Sequence, residues 1–167
     1  MAVTSIAQRN IEIARKGYAA FNEADLETVM NLLADDVVWH SLGDSPLAGE
    51  FKGKQQVMEL FMRIGQLSEG TYKGDIHDIL ANDQHTVVMG TSTGTRKGKT
   101  LVSKFTDVIH PDSEGRVKEF WRFVDNQAEA DEWDQGPGAG RSRTRSNDPE
   151  RPFGAFRRRA DAALPRR

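Results

Sequence analysis

The chain has 167 residues, of which 37% are hydrophobic and 29% are charged, so it is long and apolar enough for one globular domain and is not wholly disordered. It has no cysteine, which excludes disulfides, thiolate catalysis and cysteine-ligated zinc. Residues 1–135 hold 14 basic and 22 acidic residues (net −8), whereas residues 136–167 hold 9 arginines and 3 acidic residues (net +6), so only the tail suits nucleic acid or another acidic partner.

Helices are predicted in the first half of the chain. Apolar residues from Ile6 to Phe21 follow helical spacing, and Ser5 or Thr4 can cap the start. Asp25 is the expected cap of a short second helix. After a strand at 37–40 and a loop at 41–49, Gly53 precedes a third helix with apolar residues at offsets of three and four.

The rest of the body is predicted to be mostly β-structure. The candidate strands are Thr71–Leu80, Thr86–Thr95, Thr100–His110 and Arg116–Asp125, and 126–133 is a candidate closing helix. Short separators with turn residues predict antiparallel hairpins between consecutive strands. Helices followed by a strand meander favour an α+β fold, with helices on one face of a curved sheet.

Domain organisation follows from composition. Residues 1–135 form the expected folded domain, and the glycine-rich stretch 136–140 is a linker to a basic tail, 136–167, that is expected to be disordered. Within the tail, Phe153, Phe156, Ala160 and Leu164 share one helical face, which allows folding on an acidic partner, a nucleic acid or the acidic body of the same chain. With no signal-peptide core and no run approaching about 18 apolar residues, we expect a cytoplasmic protein that does not interact with membranes.

Three segments resemble the SnoaL-like family of the nuclear transport factor 2-like and ketosteroid isomerase-like superfamily. They are the stretch from Tyr18 to His40, the loop 46–53 and the strand Phe120-Trp-Arg-Phe-Val-Asp125. The resemblance implies a cone-shaped, curved antiparallel sheet with helices on its concave face. It also implies a mostly apolar pocket and dimerisation, often through the convex face. Because the superfamily includes several enzyme classes and binding modules, the fold alone does not imply one activity.

The resemblance also aligns known catalytic positions with this sequence. The isomerase's oxyanion-hole tyrosine aligns with Gly17, its proton-transferring aspartate with Ser41, and its hydrogen-bond-donating acid with Thr106. The acid on the last strand of the epoxide hydrolase aligns with Arg122. None of these positions keeps its catalytic residue, so neither mechanism is expected.

Strand alternation then predicts a pocket, with the resemblance supplying which face is concave. The predicted pocket residues are Tyr18, Trp39, Ser41, Val87, Met89, Thr91, Lys104, Thr106, Phe120, Arg122 and Val124. A symmetric turn at 111–115 sets Lys104 opposite Arg122, where two like charges repel. The two positive charges would be compensated by Asp44, by Glu50, or by a ligand carboxylate or enolate. Alternatively, both cations lie at the solvent-exposed rim of the pocket. The alternative interpretation is that these residues fill the cone as core and leave no cavity.

The opposite, convex face is predicted to carry Phe105, Trp121 and Phe123. Three aromatic residues on an open sheet face predict a homodimer interface or, alternatively, a helix packed there.

Two function classes remain open. In the first, the protein is a cofactor-free isomerase, cyclase, dehydratase or hydrolase acting on a small, largely apolar, oxygenated metabolite. Arg122 then stabilises an enolate or carboxylate, and His40 or His77 moves the proton. In the second, the same cone is a non-catalytic ligand-binding or dimeric assembly module that presents a basic tail. The spacing of the histidines predicts no metal site.

Overall fold

The computed structural model describes residues 5–135. The predictions made for the linker and for the basic tail, as well as the alternative cap Thr4, lie outside the described residues.

Four helices are present in this part of the chain: α1 (Ile6–Asn22), α2 (Leu26–Asn31), α3 (Gly53–Leu67) and α4 (Gln127–Gln135). The side chain of Ser5 accepts a hydrogen bond from the Gln8 amide at 3.1 Å, and that of Asp25 accepts one from the Thr28 amide at 3.0 Å. Both caps satisfy amides that the first helical turn leaves without a partner. The helices and their caps therefore follow the sequence prediction.

Six strands form one sheet. They are β1 (Leu33–Ser41), β2 (Gly49–Lys52), β3 (Lys73–Ala81), β4 (Thr86–Arg96), β5 (Lys99–Pro111) and β6 (Val117–Val124). Their order in the sheet is β2-β1-β6-β5-β4-β3. The meander from β3 to β6 is antiparallel as predicted, whereas β1 lies parallel to β6, and β2 forms in the segment predicted as loop. The α+β class is confirmed, with a curved, unclosed sheet that is mixed rather than wholly antiparallel.

The core lies between the concave face of the sheet and the helices. On β5, the alternate residues Leu101, Ser103, Phe105, Asp107 and Ile109 are buried on this face. Helix α1 packs against β3 and β4, α3 against β1, and α4 against β5 and β6. No helix within residues 5–135 is long and apolar enough to cross a membrane.

The predicted register between β5 and β6 is wrong. Asp107 lies opposite Arg122 and His110 opposite Glu119, with a bulge between His110 and Pro111. Pro111 pairs with Val117, which is two residues from the predicted register, and the bulge adds a third. The total shift is therefore odd and exchanges the faces of β5 relative to β6.

The faces of β4 and β5 change with this register. Phe105 lies in the core at 3% exposure, so its assignment to the convex face is wrong. The side chains that alternate with the buried ones belong to the convex face, and their assignment to the pocket is wrong: Val87, Met89, Thr91, Lys104 and Thr106.

Candidate functional site

A largely apolar cavity lies between the concave face and the helices. It has a volume of about 180 Å³, enough for a small organic molecule rather than a single water. Of the predicted pocket residues, those that line it are Tyr18, Trp39, Ser41, Phe120, Arg122 and Val124. The remaining predicted members lie on the other face of the sheet.

Aromatic packing builds one wall of the cavity. Trp39 on β1 stacks on Phe120 of the neighbouring β6 with ring centroids 3.5 Å apart, and Phe61 of α3 meets Trp39 edge-on at 5.0 Å. These contacts join the parallel strand pair to a helix and give the wall a defined shape.

A buried ion pair joins β5 to β6 beside this wall. Asp107 has no solvent exposure, and the Arg122 side chain is 25% exposed. Arg122 donates from Nε to Asp107 Oδ1 at 2.8 Å and from Nη2 to Oδ2 at 2.6 Å. Burial opposes the charge on Arg122, but the attraction of Asp107 outweighs it and holds the arginine pKa well above its usual value. Asp107 is therefore the acid that compensates Arg122, in place of Asp44, Glu50 or a ligand.

Tyr18 of α1 donates its hydroxyl hydrogen to Asp107 Oδ2. Burial, followed by the nearby carboxylate, raises the pKa of Tyr18 well above its usual value, so the hydroxyl keeps this hydrogen. Tyr18 and Asp107 each lie one residue after a position that the isomerase alignment assigned, Gly17 and Thr106. A tyrosine and an acid therefore lie together beside the cavity, as in the isomerase. Unlike the isomerase's hydrogen-bond-donating acid, Asp107 is paired with Arg122 and accepts hydrogen bonds.

The Phe105 ring packs against one face of the Arg122 guanidinium. The Arg122 Cζ atom lies 4.3 Å from the centroid of the Phe105 ring, which stacks on Tyr18 at 6.0 Å. A cation over an aromatic face is favourable in a poorly hydrated site. Gly90 makes room for this arrangement, since a Cβ atom there would lie 2.7 Å from the ring.

Tyr72 is a site residue that the sequence analysis missed. It lines the cavity immediately before β3, and its hydroxyl oxygen accepts a hydrogen bond from Arg122 Nη1 at 3.0 Å. Because this oxygen accepts from Arg122, the hydroxyl hydrogen is free to point elsewhere, and it has no acceptor within residues 5–135.

The structure brings neither proposed catalytic histidine ring to the cavity. His40 borders it, but the ring stacks on convex-face Trp121 at 3.6 Å, and Nε2 lies 3.0 Å from Glu119 Oε1. His77 is exposed at a bulge in β3, away from the cavity. Because β1 has regular pairing from Val38 to His40, strand alternation turns the His40 ring to the face opposite Trp39. Within residues 5–135, no three His, Asp or Glu side chains group as a metal site would require.

The ion pair gives a stability prediction. Arg122→Met alone leaves the carboxylate of Asp107 buried without its partner, which should lower the free energy of unfolding by about 3–5 kcal/mol. Asp107→Asn should cost less, because the guanidinium retains access to the cavity. Urea unfolding of both variants and of the double variant measures the coupling. The double variant should be more stable than Arg122→Met alone, because it has no buried carboxylate without a partner. If its loss in free energy of unfolding equalled the sum of the two single losses, the prediction would be contradicted.

Comparisons with known proteins agree with this architecture. A model of the SnoaL-like domain matches residues 14–126. The chain is 28% identical over 93 residues to the uncharacterized protein Rv0034 of Mycobacterium tuberculosis, across 55% of this chain and 71% of that protein.

Solved structures share the fold over a longer range. Bal32a, from a soil-derived mobile gene cassette, is similar over 78% of this chain and 99% of its own, with 30% identity and a TM-score of 0.75. An LEH-like epoxide hydrolase of Mycobacterium tuberculosis is similar over 71% of this chain and 84% of its own, with 20% identity and a TM-score of 0.60, which shows a common fold alone. From the domain match over most of its length, the chain belongs to the SnoaL-like domain family.

Proposed function

We propose that the cavity binds a small, largely apolar molecule through an acceptor oxygen, such as a carbonyl, held by Arg122 and Tyr72. The observation that carries the proposal is a set of fixed hydrogen-bond donors at the end of a buried network, on the wall of an otherwise apolar cavity. Ligand sites commonly combine an apolar lining with a few polar groups that fix orientation.

The donors can be counted. A guanidinium has five N–H groups. Three of those on Arg122 are used by Asp107 and Tyr72. Arg122 also interacts with the Tyr18 hydroxyl. At least one N–H of its Nη atoms and the Tyr72 hydroxyl hydrogen therefore remain as available donors within residues 5–135.

The charge balance of the site favours a ligand whose acceptor oxygen is uncharged. Asp107 already neutralises Arg122, so a carboxylate ligand would lose its hydration without meeting an uncompensated cation. A carbonyl or ether oxygen loses less hydration and still receives hydrogen bonds. The proposed ligand is therefore neutral and oxygenated, and not the carboxylate or enolate that was one alternative from the sequence.

The ligand proposal predicts a difference between two matched probes. 2-Acetylnaphthalene should bind about tenfold more tightly than 2-ethylnaphthalene, because only the ketone accepts hydrogen bonds. Titration calorimetry measures both. Tyr72→Phe should reduce this preference, whereas Tyr18→Phe, which removes a hydroxyl committed to Asp107, should retain it. Equal affinities of the wild type for the two probes would contradict the proposal.

Cofactor-free catalysis is the second candidate. Donors fixed in a poorly hydrated site also stabilise negative charge that develops on a substrate oxygen, and a neighbour in fold is an LEH-like epoxide hydrolase. Catalysed enolisation would exchange the methyl hydrogens of 2-acetylnaphthalene for deuterium in D₂O, faster with protein than without it, as followed by NMR. Binding without any acceleration of exchange favours the binding module.

We also propose that the convex face forms a homodimer interface. Cross-strand neighbours form a row on this face from His40 through Trp121, Val108 and Val87 to Leu80. No helix within residues 5–135 covers it, and Leu80 is 57% exposed. An apolar row of this length on an open sheet face is suited to a second copy of the chain.

Trp121→Glu should convert the dimer to a monomer, because it places a charge within the row and removes its largest apolar side chain. Light scattering at micromolar concentration measures the mass. Met62→Glu, at an exposed apolar position on α3, is the matched control and should remain dimeric. A monomeric wild type would refute the interface.

A further inference from the structure

Asp134 is a carboxyl group on the cavity wall that the proposed function does not use. It lies in the last turn of α4, is partly buried and lines the cavity. Its position is fixed by its neighbours: Trp133 is buried, with Nε1 donating to the Lys99 carbonyl at 3.1 Å, and Arg96 Nη1 donates to the carbonyl oxygens of Trp133 and Asp134.

The rest of α4 is tied to the loop after β1. Gln127 Nε2 donates to the Leu42 carbonyl at 3.1 Å, and the Asp44 amide donates to Asp131 Oδ2 at 2.9 Å. Gln135 Nε2 donates to the Asp44 carbonyl at 3.1 Å. Helix and loop therefore form one wall, and the Asp134 side chain belongs to it.

The carboxyl group of Asp134 retains unused hydrogen-bonding capacity. An ionised carboxylate has about four acceptor positions. Ser45 supplies one hydrogen bond, and the bonds of Arg96 go to main-chain oxygens. Across residues 5–135, Asp134 forms no ion pair. A partly buried carboxyl group on an apolar wall gains from a further donor.

We propose that Asp134 binds a hydroxyl or amine group of the ligand, so that the ligand class is a small apolar molecule with an acceptor oxygen at Arg122 and Tyr72 and a hydrogen-bond donor facing α4. This inference rests on the proposed function and adds a second point of recognition to it.

The proposal predicts that ligand preference depends on pH, because the charge state of Asp134 decides whether it accepts or donates a hydrogen bond. Burial raises its pKa to about 6; Asp131 on the same helix also raises it, while the Ser45 hydrogen bond and the charge of Arg96 on β4 lower it. Above pH 6 the group is mainly ionised and accepts hydrogen bonds. Below pH 6 it is mainly protonated and donates one. A hydroxyl ligand is favoured in the first state and an ether oxygen in the second.

Two probes that differ at one group test the proposal: 6-hydroxy-2-acetylnaphthalene and 6-methoxy-2-acetylnaphthalene. At pH 7 the wild type should bind the hydroxyl probe about tenfold more tightly, as a hydrogen bond to a charged group provides. At pH 5 this preference should decrease or reverse. Asp134→Asn should remove both the preference and its pH dependence. Glu132→Gln, at an exposed site on the same helix, should retain both.

The outcomes separate the two proposals. If the wild type prefers the acetyl probe to 2-ethylnaphthalene but binds the hydroxyl and methoxy probes equally at both pH values, the role of Asp134 is overturned and the proposed function stands. If it shows no preference for the acetyl group, the proposed function fails, and this inference with it. Because the comparison of the two probes at pH 7 and pH 5 uses the wild type, it tests the role of Asp134 even if the Asp134→Asn variant does not fold.

Discussion

The ion pair between Asp107 and Arg122 is the interaction on which the rest of the site depends. A carboxylate with no solvent exposure on an apolar sheet face is costly unless its charge is compensated and its oxygens are hydrogen-bonded. Arg122 meets both needs with two hydrogen bonds, and Tyr18 supplies a third. Through Tyr72 the network also reaches the segment before β3. One buried charge pair thus connects α1, β5, β6 and the start of β3 around the cavity.

The same pair determines what the cavity offers to a ligand. If Arg122 lay opposite another cation, the cavity would present uncompensated positive charge and would select anions. Because it lies opposite Asp107, the cavity presents directed N–H and O–H donors in a nearly neutral surrounding. Such a surface selects by the geometry of an acceptor oxygen rather than by net charge, which agrees with the apolar lining.

Local structure was predictable from the sequence, whereas the site depended on register. The caps at Ser5 and Asp25 and the turn between β4 and β5 are determined by residues close in the chain. The bulge at His110 has no local signal, yet it decides which face of β5 meets Arg122. One signal was present: Leu101, Phe105 and Ile109 make the alternate face of β5 the more apolar one. The small residue Gly90 conceals the corresponding signal on β4, where a Cβ atom would lie 2.4 Å from the Asp75 carbonyl oxygen and 2.7 Å from the Phe105 ring.

Strand alternation could not assign residues whose elements have other bounds than predicted. Tyr72 lay inside the predicted strand Thr71–Leu80 but precedes β3, so the alternation of β3 does not place its side chain. Asp134 follows the predicted helix 126–133 but lies in the last turn of α4. They also belong to different walls. Tyr72 is connected to the sheet through Arg122, whereas Asp134 belongs to the wall that α4 forms with the loop after β1. The loop side of that wall is held by hydrogen bonds from polar side chains and one main-chain amide, which are individually weaker than a buried, doubly hydrogen-bonded ion pair. A ligand that contacts both groups connects the less stable wall to the more stable one. Its binding energy then also stabilises the contact between α4 and the loop after β1, because a ligand that binds only the folded form stabilises it.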